Sequence, residues 1–285
     1  MIAILGGLGA ALAWATATLC SSRSTRMIGA TPVLGWVMVV GLVLIAPVLA
    51  AGPRPGHVDA ATAGWLVVAG AGNAGGLLLV YRGLRVGKVG IVAPIVSTEG
   101  AIAAVIAMLA GEETSAAIVM TLAVIAVGIA LAAKPPSADE PLRDGSGHAP
   151  VAAVYAVAAA FVFGLSLFAT GRVSDRLPLA WIVLPARVAG VVAVALPLAL
   201  AGRLRMTRAA APFVLAGGVC EVLGVASFTL GARDDIAVAA VLASQFAAVA
   251  ALAAFLLFGE RLGRVQVVGA VVIVSGVAVL SALQA

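Results

Sequence analysis

TAGWLVVAGAGNAGGLLLVYR (residues 62–82) and AAPFVLAGGVCEVLGVASFTLG (residues 210–231) are the two stretches on which the fold turns. Each has about the 20 apolar residues that a helix needs to cross a bilayer. Each is rich in glycine and holds one strongly polar residue near its centre, Asn73 in the first and Glu221 in the second. At an offset of 148 residues Gly70 falls on Gly218, Asn73 on Glu221 and Gly76 on Gly224.

Eight more runs of similar character surround these two, giving ten in all: 2–20, 31–51, 62–82, 89–110, 115–133, 150–170, 179–201, 210–231, 236–258 and 264–284. The composition agrees, at 63% hydrophobic, 10% charged and a mean hydropathy of +1.19. A soluble domain is nearer half apolar and a quarter charged. The first run has no basic leader and is read as a helix that stays in place. The net charge of +5 does not mark a nucleic-acid binder, because the basic residues sit in short gaps between apolar runs. Cys20, Cys220, His57 and His148 show no metal-ligand spacing, and no cofactor is expected.

The offset extends beyond the opening pair. Gly83 falls on Gly231, Arg85 on Arg233, Gly111-Glu112 on Gly259-Glu260, and Gly128 on Gly276. Between the halves lies KPPSADEPLRDGSGHA, residues 134–149, a Pro-, Gly- and charge-rich linker. The expected organisation is therefore a five-helix repeat over 1–133, the linker over 134–149, and a second five-helix repeat over 150–285. Five is odd, so the second repeat enters the membrane from the opposite side. Loop charges agree: Arg82, Arg85 and Lys88 follow the third run, whereas Asp234 and Asp235 follow Arg233 after the eighth. The expected fold class is thus an all-α membrane protein of ten transmembrane helices in two inverted repeats.

An ionisable group inside a bilayer costs about 3 kcal/mol on insertion scales, and this chain places three in its runs: Glu99, Glu221 and Arg187. Asn73, Ser97 and Gln245 add uncharged polar groups at similar depth, Ser97 and Gln245 at equivalent positions. These six line the expected midplane cavity between the repeats. Glu221 or Glu99 would exchange a proton, and Arg187 would pair with a carboxylate of the protein or of a substrate. The competing reading is a buried polar lock in which Arg187 and Glu221 neutralise each other and the amides hold helices together. Pro94 leaves one backbone acceptor without its donor, which makes a break or a packed kink in the fourth run. Glycines 72, 75 and 76 around Asn73, and 217, 218 and 224 around Glu221, give either room for a ligand or close helix packing. Glu112 and Glu260 precede helix starts, where a carboxylate suits the helix dipole, and Thr114 or Ser115 could cap the fifth helix.

Ten helices in two repeats, Trp14 in the first helix, Gly-Glu at the ends of the fourth and ninth, Arg187, and Gly259-Glu260-Arg261 followed by Gly269 and Gly276 together resemble the EamA family of the drug/metabolite transporter superfamily. The second half has Phe163-Gly164 where the first has Trp14-Ala15, and 31–51 has no arginine matching Arg187. The resemblance implies a secondary active transporter in the cell membrane, inner or plasma. It would act as an exporter of small metabolites, amino acids or drugs and not as an enzyme, and would be a monomer or weak homodimer. By position Trp14, Trp36, Trp65 and Trp181 read as interfacial anchors or lipid-facing bulk, and Trp14, nearer mid-helix, is the one candidate among them to line the cavity. No Gly-rich phosphate loop offers an ATP site. An intramembrane enzyme on lipid-linked substrates, or a non-transporting scaffold, are the alternatives. The first would want a His/Asp/Glu cluster at the membrane boundary.

Orientation follows two rules that disagree. The connections 21–30, 82–88, 134–149, 202–209 and 259–264 hold twelve Lys and Arg, and the opposite set holds four. The positive-inside rule puts the richer set in the cytoplasm and both termini outside, while the family resemblance implies termini inside. Under the charge rule, Ser115→Cys should react with an impermeant thiol reagent on intact cells and Ser137→Cys should not. Labelling of Ser137→Cys instead would reverse the orientation.

Overall fold

The computed structural model describes residues 2–283, apart from 57, 100–101, 103–104, 107–108, 111–115, 133–148, 175, 233–242, 244 and 260–262. His57, His148, Glu112, Glu260, Thr114, Ser115, Arg233 and nearly all of the linker therefore lie outside the described residues. The described residues are mostly helical, with no strand among them. In chain order the helices are α1 Ile2–Ile28, α2 Ala30–Ala51, α3 Ala60–Val86, α4 Val89–Val96, α5 Ala116–Ala132, α6 Ala149–Ser174, α7 Leu179–Leu200, α8 Ala211–Ala232, α9 Phe246–Phe258 and α10 Arg264–Leu283. α7 is interrupted by a π turn at Val191–Ala195.

Six of these, α1, α2, α3, α6, α7 and α8, contain segments long and apolar enough to cross a membrane. Their polar side chains close bonds within the helix, as lipid requires. The hydroxyls of Thr16, Thr18 and Thr170 each donate to the carbonyl four residues back at 2.8 Å, and Thr121 of the helix over 116–132 does the same. Asp59 caps α3 by accepting from the Thr62 N–H at 2.7 Å. Gly29, at φ +93°, makes the turn from α1 into α2, a conformation that suits a residue without Cβ.

The fourth and ninth runs differ from the uninterrupted spans expected over 89–110 and 236–258. α4 stops at Val96, and Ser97 and Thr98 form a turn. Pro94 supplies no backbone donor there, and the two hydroxyls bond back to Pro94 O (2.8 Å) and Ile95 O (2.7 Å). α9 begins at Phe246, after a turn at Gln245. Ser97 and Gln245 are the two residues that the 148-residue offset superimposes.

The interior is built from small residues and the exterior from large ones. Ala152, Ala156 and Ala159 are sealed, while Val43, Leu200 and Leu257 point outward. Small residues let backbones approach where lipid removes the hydrophobic drive between helices. A Cβ added at Gly6 would lie 2.5 Å from Gly231 Cα, and one at Gly87 would strike Ala152.

Helix partners follow a rule. α1 packs on α8 and α6 on α3; α2 on α8 and α7 on α3; α1 on α9 and α6 on α4; α2 meets α7, α4 meets α9, and α5 meets α10. Exchanging each helix for the one five places along the chain returns these pairs, whereas α1–α3, α2–α3 and α4–α10 have no comparable counterpart among the described residues. Single contacts repeat as well. Gly224 faces the Trp14 indole and Gly76 faces the Phe163 ring; Gly128 meets Ile273 and Gly276 meets Ile125. α2 and α7 run antiparallel, with Gly35 beside Ala195, Met38 beside Gly190 and Gly41 beside Arg187.

The ends of the bundle are tied differently. At one end Arg26 Nε and Nη2 donate to Leu84 O (3.3 Å) and Gly87 O (2.7 Å) at the C-terminus of α3, where a cation suits the helix dipole. Trp36 Nε1 donates to Arg205 O at the same end (3.3 Å). Arg23, Arg82, Arg85, Lys88, Arg203 and Arg208 flank these ties in sequence, so this end is strongly basic. At the other end Trp181 Nε1 donates to Pro53 O (3.2 Å), Trp65 packs edge-on against Phe168, and Arg172 stands over the same ring.

A Cβ at Gly76 would come within 2.6 Å of the Phe163 ring. Gly76→Ala should therefore destabilise the bundle by about 1–3 kcal/mol, read as a lower melting temperature in detergent. Phe163→Leu in the same chain should recover part of that loss.

Candidate functional site: a buried ion pair at the centre of the bundle

Arg187 lies eight residues into α7, about 12 Å along the helix axis, too deep to reach an end. It is 1% exposed, and its Nη2 stands 3.5 Å from Glu221 Oε1 on α8. Nη1 points at Met38 Sδ on α2, 3.7 Å away. Gly41, one turn further along α2, makes the seat: a Cβ there would come within 2.9 Å of Arg187 Cδ. The pair is loose, since charge-assisted bonds close to about 2.7–2.9 Å. The guanidinium offers five N–H donors, and its Nε is buried with no partner.

The other residues expected at this depth fall around the pair unevenly. Asn73 is half-buried on α3, with Oδ1 sealed and unpartnered. One turn before it, Gly70 meets Pro185 and Ala186, next to Arg187. Glu99 is half-buried and within electrostatic reach of Glu221. It stands directly after the α4 break and not, as expected, in the middle of an unbroken helix. Its backbone carbonyl abuts Gly164 of α6, where a Cβ would lie 3.0 Å away. Ser97 is 3% exposed and its hydroxyl is committed to Pro94 O. Gln245 heads α9, again in place of a mid-helix position. Trp14 packs with Phe228 and Phe246 at 6.2 and 6.3 Å between ring centroids, so it sits beside Gln245 and one turn from Glu221.

Of the glycines around Asn73 and Glu221, positions 72, 76, 218 and 224 are filled by neighbours: Ser166, Phe163, Val40 and Trp14 respectively. They serve close packing. Met38 and Gly41 were not singled out from the sequence, because 31–51 is uniformly apolar and nothing in it signals that it faces an arginine.

A bundle of apolar helices closed around a buried ion pair is a multi-pass membrane protein. The sequence model of the EamA-like transporter family matches residues 1–133. That match spans somewhat less than half of the chain and makes this part similar to the EamA-like transporter family. No curated protein matches the sequence. Sixteen solved chains match the structure. One of them, titled only "Crystal structure of protein", is 17% identical with a TM-score of 0.59, over 97% of this chain and 95% of its own. That likeness is one of fold.

Removing one partner of a buried pair costs about 3–5 kcal/mol. Arg187→Ala should therefore fold poorly or lose function, and Arg187→Ala with Glu221→Gln should recover melting temperature relative to Arg187→Ala alone. A fully stable, fully active Arg187→Ala would show that the pair carries neither role.

Proposed function

We propose that the protein is a secondary active transporter, an exporter of small metabolites, amino acids or drugs, coupled to protons and resident in the cell membrane. Its architecture in this reading is two inverted five-helix repeats, 1–133 and 150–285, with the substrate site at the midplane between them. One observation carries the proposal: Arg187 and Glu221 form a loose pair inside apolar helices, with Arg187 Nε and Asn73 Oδ1 left unpartnered nearby. A buried polar atom without a partner costs about 1–3 kcal/mol. A polar lock would be closed, whereas a site awaiting a ligand holds such atoms ready.

The heaviest helix pairings support the architecture, since they exchange under a five-helix shift and α2 and α7, which would be equivalent, run antiparallel. The breaks at Ser97 and Gln245 support the location, because discontinuous helices at the midplane are where inverted-repeat carriers hold substrate. Glu221 and Glu99 are the coupling groups in this reading. Protonation neutralises an acid and lowers the cost of changing its surroundings, and deprotonation on the other side resets it.

The test is export from proteoliposomes under an imposed pH gradient, with a mixture of amino acids and small amines as probe and mass spectrometry as readout. Glu221→Gln or Glu99→Gln should fold yet lose gradient-driven flux. If both variants match wild type across a range of pH, the acids couple nothing and the lock reading holds.

A further inference from the structure

The connection between α7 and α8 contains Arg203-Leu204-Arg205-Met206-Thr207-Arg208, a basic stretch laced with apolar residues. It belongs to no helix, and its side chains alternate: Arg203 and Arg205 are exposed, Leu204 and Met206 half-buried. Leu204 seats on α2, where a Cβ at Gly35 would lie 3.0 Å from its Cδ1, and Met206 packs on the core. The Leu198 carbonyl accepts from the N–H groups of Arg203 (2.7 Å) and Leu204 (3.0 Å), and the Arg205 carbonyl accepts from the Trp36 indole. Trp36 lies six residues past the start of α2, about 9 Å along its axis. The connection therefore folds back beside α2, to the depth of an aromatic residue suited to the headgroup layer. The guanidinium groups of Arg203, Arg205 and Arg208 have no hydrogen-bond or ion-pair partner among the described residues. The last turns of α7, leading into this connection, face an apolar stripe outward: Val192, Leu196 and Leu200 are 57%, 48% and 81% exposed.

We propose that this connection holds the headgroup of an anionic phospholipid, with Arg203 and Arg205 on its phosphate and an acyl chain along the Val192–Leu196–Leu200 stripe. Both parts of an amphiphile find their match. Unpartnered, fork-shaped cations suit a phosphodiester, and the bare apolar stripe leading up to them suits hydrocarbon. Topology alone does not ask for this arrangement. The positive-inside rule needs cations on one side of the membrane, not cations fixed by an indole and two backbone bonds at the head of an exposed apolar stripe. The surroundings reinforce the charge. α1 and α8 run antiparallel, with Gly6 against Gly231 and Cys20 against Gly217, so Arg23 stands level with the first turn of α8, where this connection ends. Arg23 is exposed, as is Arg208. The connections at this end carry twelve Lys and Arg against four acids, Asp139, Glu140, Asp144 and Glu260. The lipid site is independent of what the protein transports and of how transport is coupled.

The experiment uses the full chain in micelles that hold phosphatidylglycerol and phosphatidylcholine of identical acyl chains. Native mass spectrometry reads the ratio of their binding constants. Phosphatidylglycerol should bind more tightly, and Arg203→Gln and Arg205→Gln should each lower the ratio about fivefold, the effect of one cation at an anionic surface. Neither side chain has a partner to lose, so folding is not at stake. Removing two charges at the other end, in Arg54→Gln with Arg176→Gln, should leave the ratio unchanged. An equal fall in that control would reduce the effect to net charge, and a ratio that Arg203→Gln and Arg205→Gln both leave unchanged would put the lipid elsewhere; either result overturns the proposal. So would a ratio near one in the wild type. Glycerol phosphate that displaces phosphatidylglycerol at equal concentration would make the occupant a soluble anion and overturn it as well.

Discussion

Lipid offers no hydrogen bonds, so a polar group in this bundle finds its partner inside the protein or goes without, as Arg187 Nε and Asn73 Oδ1 do. The threonines solve the problem locally, bonding to the carbonyl one turn back. Arg187 cannot, because its charge sits too far from either end of α7 to reach the headgroups. Its accommodation requires an acid on another helix, a gap in α2 that only glycine leaves, and a soft sulfur in place of a third polar partner. α2, α7 and α8 are thus held in one register by a single side chain.

Around that constraint the packing is a matter of small residues meeting backbones or rings. The same solution is used twice. Trp14 lies on Gly224 as Phe163 lies on Gly76, and Gly128 and Gly276 each receive an isoleucine from the opposite helix. An aromatic ring against glycine buries large area without a matching cavity. The two halves can differ at these positions, Trp in one and Phe in the other, without changing how they join.

Much of this was visible in the residues alone. Length and composition reveal spans, and Gly70, Gly76 and Gly128 stand at one constant spacing from their counterparts. Glu221 and Arg187 stand out because charge in an apolar run is conspicuous. The breaks at Ser97 and Gln245 were harder to see. Pro94 hinted at the first, but Gln245 has no proline before it, and hydrophobicity does not register where a helix pauses. Partners on the other side of a contact were invisible for a different reason. Gly41 and Met38 look like any lipid-facing residues, and only the crossing of α2 over α7 gives them a charge to hold.

The closest helix contacts also bear on how such a chain is made. α1 finds its tightest neighbour in α8, and α3 in α6, so both intimate pairs draw one member from each side of the linker. A ribosome that has delivered the first five helices has produced no complete pair. Those helices must wait in the membrane, their glycine faces covered by lipid or by one another, until α6 and α8 arrive. Both of the tightest contacts therefore form only across the linker.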